Sequence, residues 1–258
     1  RIKSYHDELL ERYQEISRKN ARLGELEKVK DGLTHMIIHD LKSPLGAISL
    51  NLELVLTDRS TISDLQEEAL ENCLGLCDEF NHLIESLIDI HRMEEGQLQL
   101  QKEMTDVSEL IPDVFRAFRP RTESRNLKLI YQAPDHVPPV PVDRLLIRRV
   151  IDNLMMNAIR HTKEGGQIEL LVEPLSESKG LRMCIRDNGE GLEPEYHERI
   201  FEKFEQVGLK QAGVTTGKSG LGLAFCKMAL EAHGGKIRVD SEGKGKGCTF
   251  SFELPPRD

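Results

Sequence analysis

The sequence predicts an α+β protein in two parts: a helical N-terminal region that pairs with a second copy, then an α/β sandwich. Three observations predict it. Apolar residues recur at helical spacing from Ile2 to about Ile90. After Glu95-Gly96 the pattern changes to short alternating strands between shorter helices. The chain of 258 residues is long enough for a real core, yet no apolar run approaches the roughly 18 residues of a membrane span. A formal net charge of −9 argues against general nucleic-acid binding, which wants a basic surface. Five cysteines with no Cys-x-x-Cys pair argue against a disulfide framework or a zinc site and suggest a reducing compartment. Cys73 and Cys77, four apart on one helix face, read as small apolar filler. The helical pattern is already running at Arg1 and no signal peptide is visible, so a segment of a longer protein is expected.

Ile2, Leu9, Ile16, Leu23, Lys30 and Ile37 recur every seventh residue, with mixed polar companions. This predicts a two-stranded coiled coil of adjustable register over residues 1–30. The helix continues to about Thr57, with Ile37, Leu41, Leu45, Ile48, Leu52 and Val55 on one stripe. His39 lies roughly opposite that stripe, presented to solvent, and Ser43 lies near it one turn later. Asp40 follows the histidine, and Pro44 removes a backbone donor and loosens the helix. A turn at Asp58–Thr61 leads to Ser63, an N-cap for a second long helix ending near Glu95. Its apolar positions include Ile62, Leu65, Cys73, Leu76, Phe80, Leu83, Leu87 and Ile90, widened by Leu70, Cys77, Ile84 and Ile88. So wide a face wants more than one partner helix. Two such hairpins, residues 31–96 of two chains, close a four-helix bundle, which predicts a homodimer.

Residues 97–258 read as the sandwich. Strands are expected at Gln97–Lys102, Leu127–Gln132, Gln167–Glu173 and Leu181–Asp187, and a hairpin pairs Lys236–Asp240 with Cys248–Leu254. Helices are expected at 106–122, 142–162 and from Ser219 to Gly234, with Pro134–Pro141 as an extended connection.

On the helix 142–162, Asn153, Asn157, Arg160 and His161 share a face opposite Val150, Ile151, Leu154, Met155 and Ala158. Amides beside a basic group could hold Mg²⁺ and a triphosphate, and a plain polar helix surface is the alternative. Asp187 has the strand parity of Leu181, Met183 and Ile185, so it points inward, where a carboxylate needs donors such as a purine amine. Gly189 and Gly191 let the backbone approach a flat ligand, although Asp-Asn-Gly also makes an ordinary turn. Gly217-Lys218-Ser219-Gly220-Leu221-Gly222-Leu223 opens the last helix with amides suited to a phosphate. Glu205–Thr216 reads as a mobile lid, with Phe201 and Phe204 anchoring its base. Singly these signals are weak; their order along the chain is strong.

In that order, the chain resembles the sensor histidine kinases of two-component signalling. The catalytic half of that family is a GHKL-type ATPase, like those of the Hsp90 chaperone, type II topoisomerases and mismatch-repair subunits. His39-Asp40-Leu41-Lys42-Ser43-Pro44-Leu45 looks like the family's phosphoacceptor box, and Asp152–Thr162 like its asparagine box. The resemblance implies an ATP-dependent protein-histidine kinase of the cytoplasm, without membrane contact by this segment itself. By it, His39 attacks the γ-phosphorus of ATP, and Asp40 hydrogen-bonds the other ring nitrogen. Asn157 ligates Mg²⁺, with Asn153, Arg160 and His161 near the nucleotide. Asp187 reads adenine beside Gly189 and Gly191, and Lys218, Gly220, Leu221 and Gly222 lie on the phosphate side. The phosphoryl group then passes to a response-regulator receiver aspartate. Two positions depart from the family. Gln206 stands where many members carry a γ-phosphate arginine, leaving Arg160, Lys203, Lys210 or Lys218 as substitutes. Ser43 stands where phosphatase-active members carry threonine or asparagine. The competing readings are a nucleotide-binding dimeric scaffold with little turnover, which the intact set of nucleotide motifs argues against and Gln206 keeps open, and a chaperone- or topoisomerase-type ATPase, which the upstream histidine stretch disfavours.

Overall fold

The computed structural model describes residues 12–13, 19, 41–42, 45–57, 62–175, 180–203 and 221–256. The chain divides into two compact units, Arg1–Ile88 and Asp89–Asp258. The expected coiled coil lies outside the described residues, apart from helical Arg12, Tyr13 and Lys19.

In the first unit residues 45–57 are helical, and helix α1 (Asp64–Glu94) follows. A capping box starts α1: Ser63 N–H donates to Gln66 Oε1 at 2.9 Å, and Gln66 N–H donates to Ser63 Oγ at 3.4 Å. Lys42 Nζ pairs with Glu85 Oε1 at 3.2 Å, tying the upstream helical residues to α1. The predicted apolar stripe splits. Leu45 and Leu52 are half-buried, while Leu41, Ile48 and Val55 are exposed. On α1, Cys77 and Ile84 are buried, while Leu65, Leu76 and Phe80 are exposed. One chain therefore covers one flank of each helix and leaves the other apolar flank bare.

The second unit takes in the end of α1, where Ile90 is buried. It continues through β1 (Glu103–Thr105), a 3₁₀ turn at Val107–Leu110, α2 (Ile111–Ser124), β2 (Lys128–Gln132), β3 (Val140–Val142) and α3 (Arg144–His161). Then follow β4 (Gln167–Pro174), β5 (Leu181–Asp187), α4 (Gly222–Ala232), β6 (Lys236–Asp240) and β7 (Thr249–Leu254). Two expectations need correction. The first strand forms at Glu103–Thr105 rather than Gln97–Lys102, and its partner β3 begins in the proline-rich stretch read as a plain connection and runs into Val142, read as the first residue of a helix. Burial decides the placement: Thr105, Val140 and Val142 are all buried, whereas Gln101 spends its N–H on the Asp143 carboxylate at 3.1 Å. Pro141 is tolerated because a two-stranded ladder has free edges. The helix expected from residue 106 opens as a 3₁₀ turn capped by Asp106, and α2 then starts at Ile111 with Pro112 in its first turn.

The main sheet has strand order β2-β4-β5-β7-β6, with β2 parallel to β4 and the other pairs antiparallel. Its inner face carries Ile168, Leu170, Val172, Leu181, Met183, Ile185, Phe250 and Phe252, all buried. The apolar faces of α3 and α4 cover it. Its outer face is a charged ladder, with Arg186–Glu169 at 3.4 Å and Glu253 paired to both Arg182 (2.7 Å) and Arg238 (3.3 Å). No helix among the described residues is long and apolar enough to cross a membrane.

His233, 3% exposed, joins the two covering helices. Its Nδ1–H donates to the Ala229 carbonyl at 2.7 Å at the end of α4, and its Nε2 accepts the N–H of Asp143, the α3 N-cap, at 2.9 Å. The second contact requires a neutral ring, because a protonated Nε2 cannot accept. Burial lowers its pKa from the usual 6.5; the Ala229 carbonyl and Asp143 oppose the shift, and Lys102 adds to it. The unfolded chain therefore protonates this ring at higher pH than the folded one. The stability it contributes is present above pH 6.5 and is lost as pH falls through the lowered folded value. Urea titrations between pH 7.5 and pH 5 are expected to show that loss, with a shallower pH slope in His233→Gln.

Candidate nucleotide site

The site is built at the C-terminal end of α3. Asp143 caps the start of that helix, accepting from the N–H groups of Leu145 and Leu146. Its last carbonyls are satisfied from outside. The Arg125 guanidinium donates to Ile159 O and, at 2.7 Å, to Thr162 O. The Glu190 N–H donates to His161 O at 3.1 Å, and Glu190 Oε2 lies 3.2 Å from His161 Nδ1. The loop after β5 is thus docked on the helix end, and Gly189 permits it, because a Cβ there would collide with the His161 carbonyl.

This docking places Asp187 in the core. It is 5% exposed, on the inward parity of β5. Oδ1 accepts from Gly189 N at 2.9 Å and from Cys248 N at 3.3 Å. Oδ2 receives no donor among the described residues. Burial raises the carboxyl pKa, while the Gly189 and Cys248 N–H groups and then His161 act against the rise. A carboxylate in this state can accept from a ligand N–H. Gly247, at φ 72°, makes the other wall: its Cα lies against the Asp187 carbonyl, where no side chain fits.

The second feature is the contact of α3 with the start of α4. Asn153 Nδ2 donates to Arg149 O at 2.9 Å, which turns Oδ1 toward Gly222. A Cβ on Gly222 would lie 2.7 Å from that oxygen. Asn157, one turn on, is half-buried and makes no hydrogen bond among the described residues, leaving its amide oxygen for a hard cation. No cluster of three or more His, Cys, Asp or Glu side chains suited to a metal occurs among the described residues, so a cation here would draw on amide and phosphate oxygens. Phe201 is buried edge-on to Phe250 at 6.3 Å between ring centroids, anchoring the chain before residue 204.

Of the residues singled out from the sequence, Asn153, Asn157, His161, Asp187, Gly189, Gly191, Leu221 and Gly222 fall along α3, the loop after β5 and the start of α4. Arg160 is exposed on the last turn of α3. His39, Asp40, Ser43, Phe204, Gln206, Lys210, Lys218, Gly220 and the expected lid lie outside the described residues. Lys203, one candidate for the missing arginine, is ion-paired with Glu94. The sequence reading passed over Arg125, Gly247 and Cys248. The glycine-rich hairpin was the visible signal for Gly247; nothing in the spacing marks the other two.

Residues 142–258 match the family model of the histidine kinase-, DNA gyrase B- and HSP90-like ATPases. Residues 29–96 match the His Kinase A phospho-acceptor domain. The chain belongs to the sensor histidine kinases. It is 33% identical over 233 residues to the alginate biosynthesis sensor protein KinB of Pseudomonas aeruginosa, covering 89% of this chain and 37% of KinB. It is 33% identical over 261 residues to the adaptive-response sensory kinase SasA of Crocosphaera subtropica, covering 97% of this chain and 66% of SasA. The chain thus spans about a third to two thirds of these relatives. Histidine kinase ThkA, solved in complex with the response regulator TrrA, superposes with a TM-score of 0.57 at 24% identity, over 95% of this chain and 66% of that one, a likeness of fold.

The loop seating itself can be tested. Gly247→Ala forces a side chain into a left-handed conformation against the Asp187 carbonyl, and is expected to cost about 1–3 kcal/mol in chemical denaturation.

Proposed function

We propose that the chain is an ATP-dependent protein-histidine kinase that phosphorylates its own His39 and passes the phosphoryl group to a response-regulator aspartate. The observation that supports this most is Asp187, a buried carboxylate whose Oδ2 receives no donor among the described residues, on the same helix platform as the Asn153–Gly222 contact. Such an arrangement suits a flat base with an exocyclic amine at one end and phosphates at the other. In this reading Asn157 holds Mg²⁺, with Asn153, Arg160, His161, Lys218, Gly220, Leu221 and Gly222 around the nucleotide. The His39 imidazole attacks the γ-phosphorus and ADP leaves, while Asp40 accepts from the other ring nitrogen. Transfer is then mostly positioning and charge neutralisation. Residues 1–30 serve as the signalling coiled coil, 31–96 as the dimerisation and phosphotransfer hairpin, and 97–258 as the ATP-binding domain, all on the cytoplasmic side. The bare flank carrying Leu41, Ile48, Val55, Leu76 and Phe80 is what a second copy would cover in a homodimer.

Incubation with Mg²⁺ and ATP labelled on the γ-phosphate is expected to give acid-labile, alkali-stable label on the wild type and none on His39→Ala; label persisting in the mutant would remove His39 as acceptor. Asp187→Asn separates binding from folding. Because the raised pKa means that the ionised carboxylate opposes folding at neutral pH, the amide is expected to leave stability equal or higher. Adenine-nucleotide affinity should nevertheless fall about tenfold or more, as a charged acceptor is lost. Sedimentation at micromolar concentration should show a dimer, with a shift toward monomer in Leu76→Glu/Phe80→Glu.

A further inference from the structure

We infer that Arg149 is a positioning residue for the phosphate side of the nucleotide site; the inference rests on the nucleotide reading above. Arg149 lies one turn before Asn153 on α3, and its carbonyl accepts the Asn153 amide. Its guanidinium carbon sits 4.5 Å from the ring centroid of Phe225, which is fully buried in the first turn of α4. The same guanidinium is ion-paired with Asp89. The two charged side chains are themselves largely covered, at 26% and 17% exposure.

One residue therefore bridges two elements. Its backbone fixes the rotamer of Asn153, and its side chain holds the α4 ring. Phe225 N–H donates to Leu221 O at 2.8 Å, so the clamped ring stands one turn from Leu221 and Gly222. A cation over an aromatic face gains strength when both are desolvated, and the paired carboxylate orients the guanidinium plane. Without the side chain, the first turn of α4 loses a lateral fixed point, and its amides shift relative to Asn153. Small displacements of groups that must converge on one ligand are costly. The adenine end stands apart from this clamp. Asp187 is held by Gly189 and Cys248, with His161 beside it, whereas the partners of Arg149 among the described residues are Asp89, Phe225 and Asn153.

The role predicts a selective loss, read by calorimetric titration of the folded chain with ATP, ADP and adenosine. Arg149→Ala should weaken ATP and ADP about fivefold and leave adenosine unchanged. Phe225→Leu keeps the site apolar but removes the ring face. It should show the same selectivity, and the double variant should be no weaker than either single one. Should Arg149→Ala not fold, Phe225→Leu carries the test. Unchanged ATP and ADP affinity, or an equal loss for all three ligands, would overturn the positioning role. Asp187→Asn is the control for the underlying reading and should weaken all three. If it weakens none, the nucleotide reading itself falls. If it weakens all three and Arg149→Ala weakens none, only the positioning role falls.

Discussion

The nucleotide end of the second unit depends on keeping one carboxylate out of water. Asp187 is tolerated in the core because two backbone N–H groups converge on one of its oxygens, and they come from segments far apart in the chain. That convergence needs the loop after β5 docked on the end of α3, which needs Gly189, and the β6–β7 connection pressed against the Asp187 carbonyl, which needs Gly247. Burial still leaves its pKa raised. A fold selected for stability alone would place an amide or an apolar residue there; a carboxylate makes sense if a ligand supplies the donor that Oδ2 lacks among the described residues.

The helical unit is incomplete in a different way. Its unsatisfied feature is apolar area rather than a polar atom. Cys77 and Ile84 are buried while Leu76 and Phe80, on the same helix, remain exposed. The hydrophobic effect acts without direction, so such a flank favours any matching surface, and a second copy supplies one by symmetry. In the proposed reading, each unit is finished by something else: the carboxylate by a ligand donor, the bare flank by another helix pair.

Much of this was legible in the residues. Strand parity put Asp187 on the inward face with Met183 and Ile185, and the four-three spacing of Asn153, Asn157 and Arg160 put them on one side of α3. The wide stripe on α1 announced more than one partner. Where the reading slipped, the cause was pairing. Gln97–Lys102 alternates as well as many strands do, but a strand exists only where a partner offers its ladder, and Val140–Val142 offers it to Glu103–Thr105. Proline at position 141 hid that partner, because it is a poor strand signal and a harmless one at an edge.

Alternation, helical period, capping residues and the order of the glycine and asparagine signals were local properties, and they determined the elements, the two-part organisation and the family. Tertiary structure alone decided which distant groups meet: Cys248 N–H with Asp187, Arg125 with the end of α3, His233 with Asp143, and Arg149 between Phe225 and Asp89. Periodicity encodes which face a side chain occupies. It carries no information on which element will lie opposite, because that is set by packing the whole core at once.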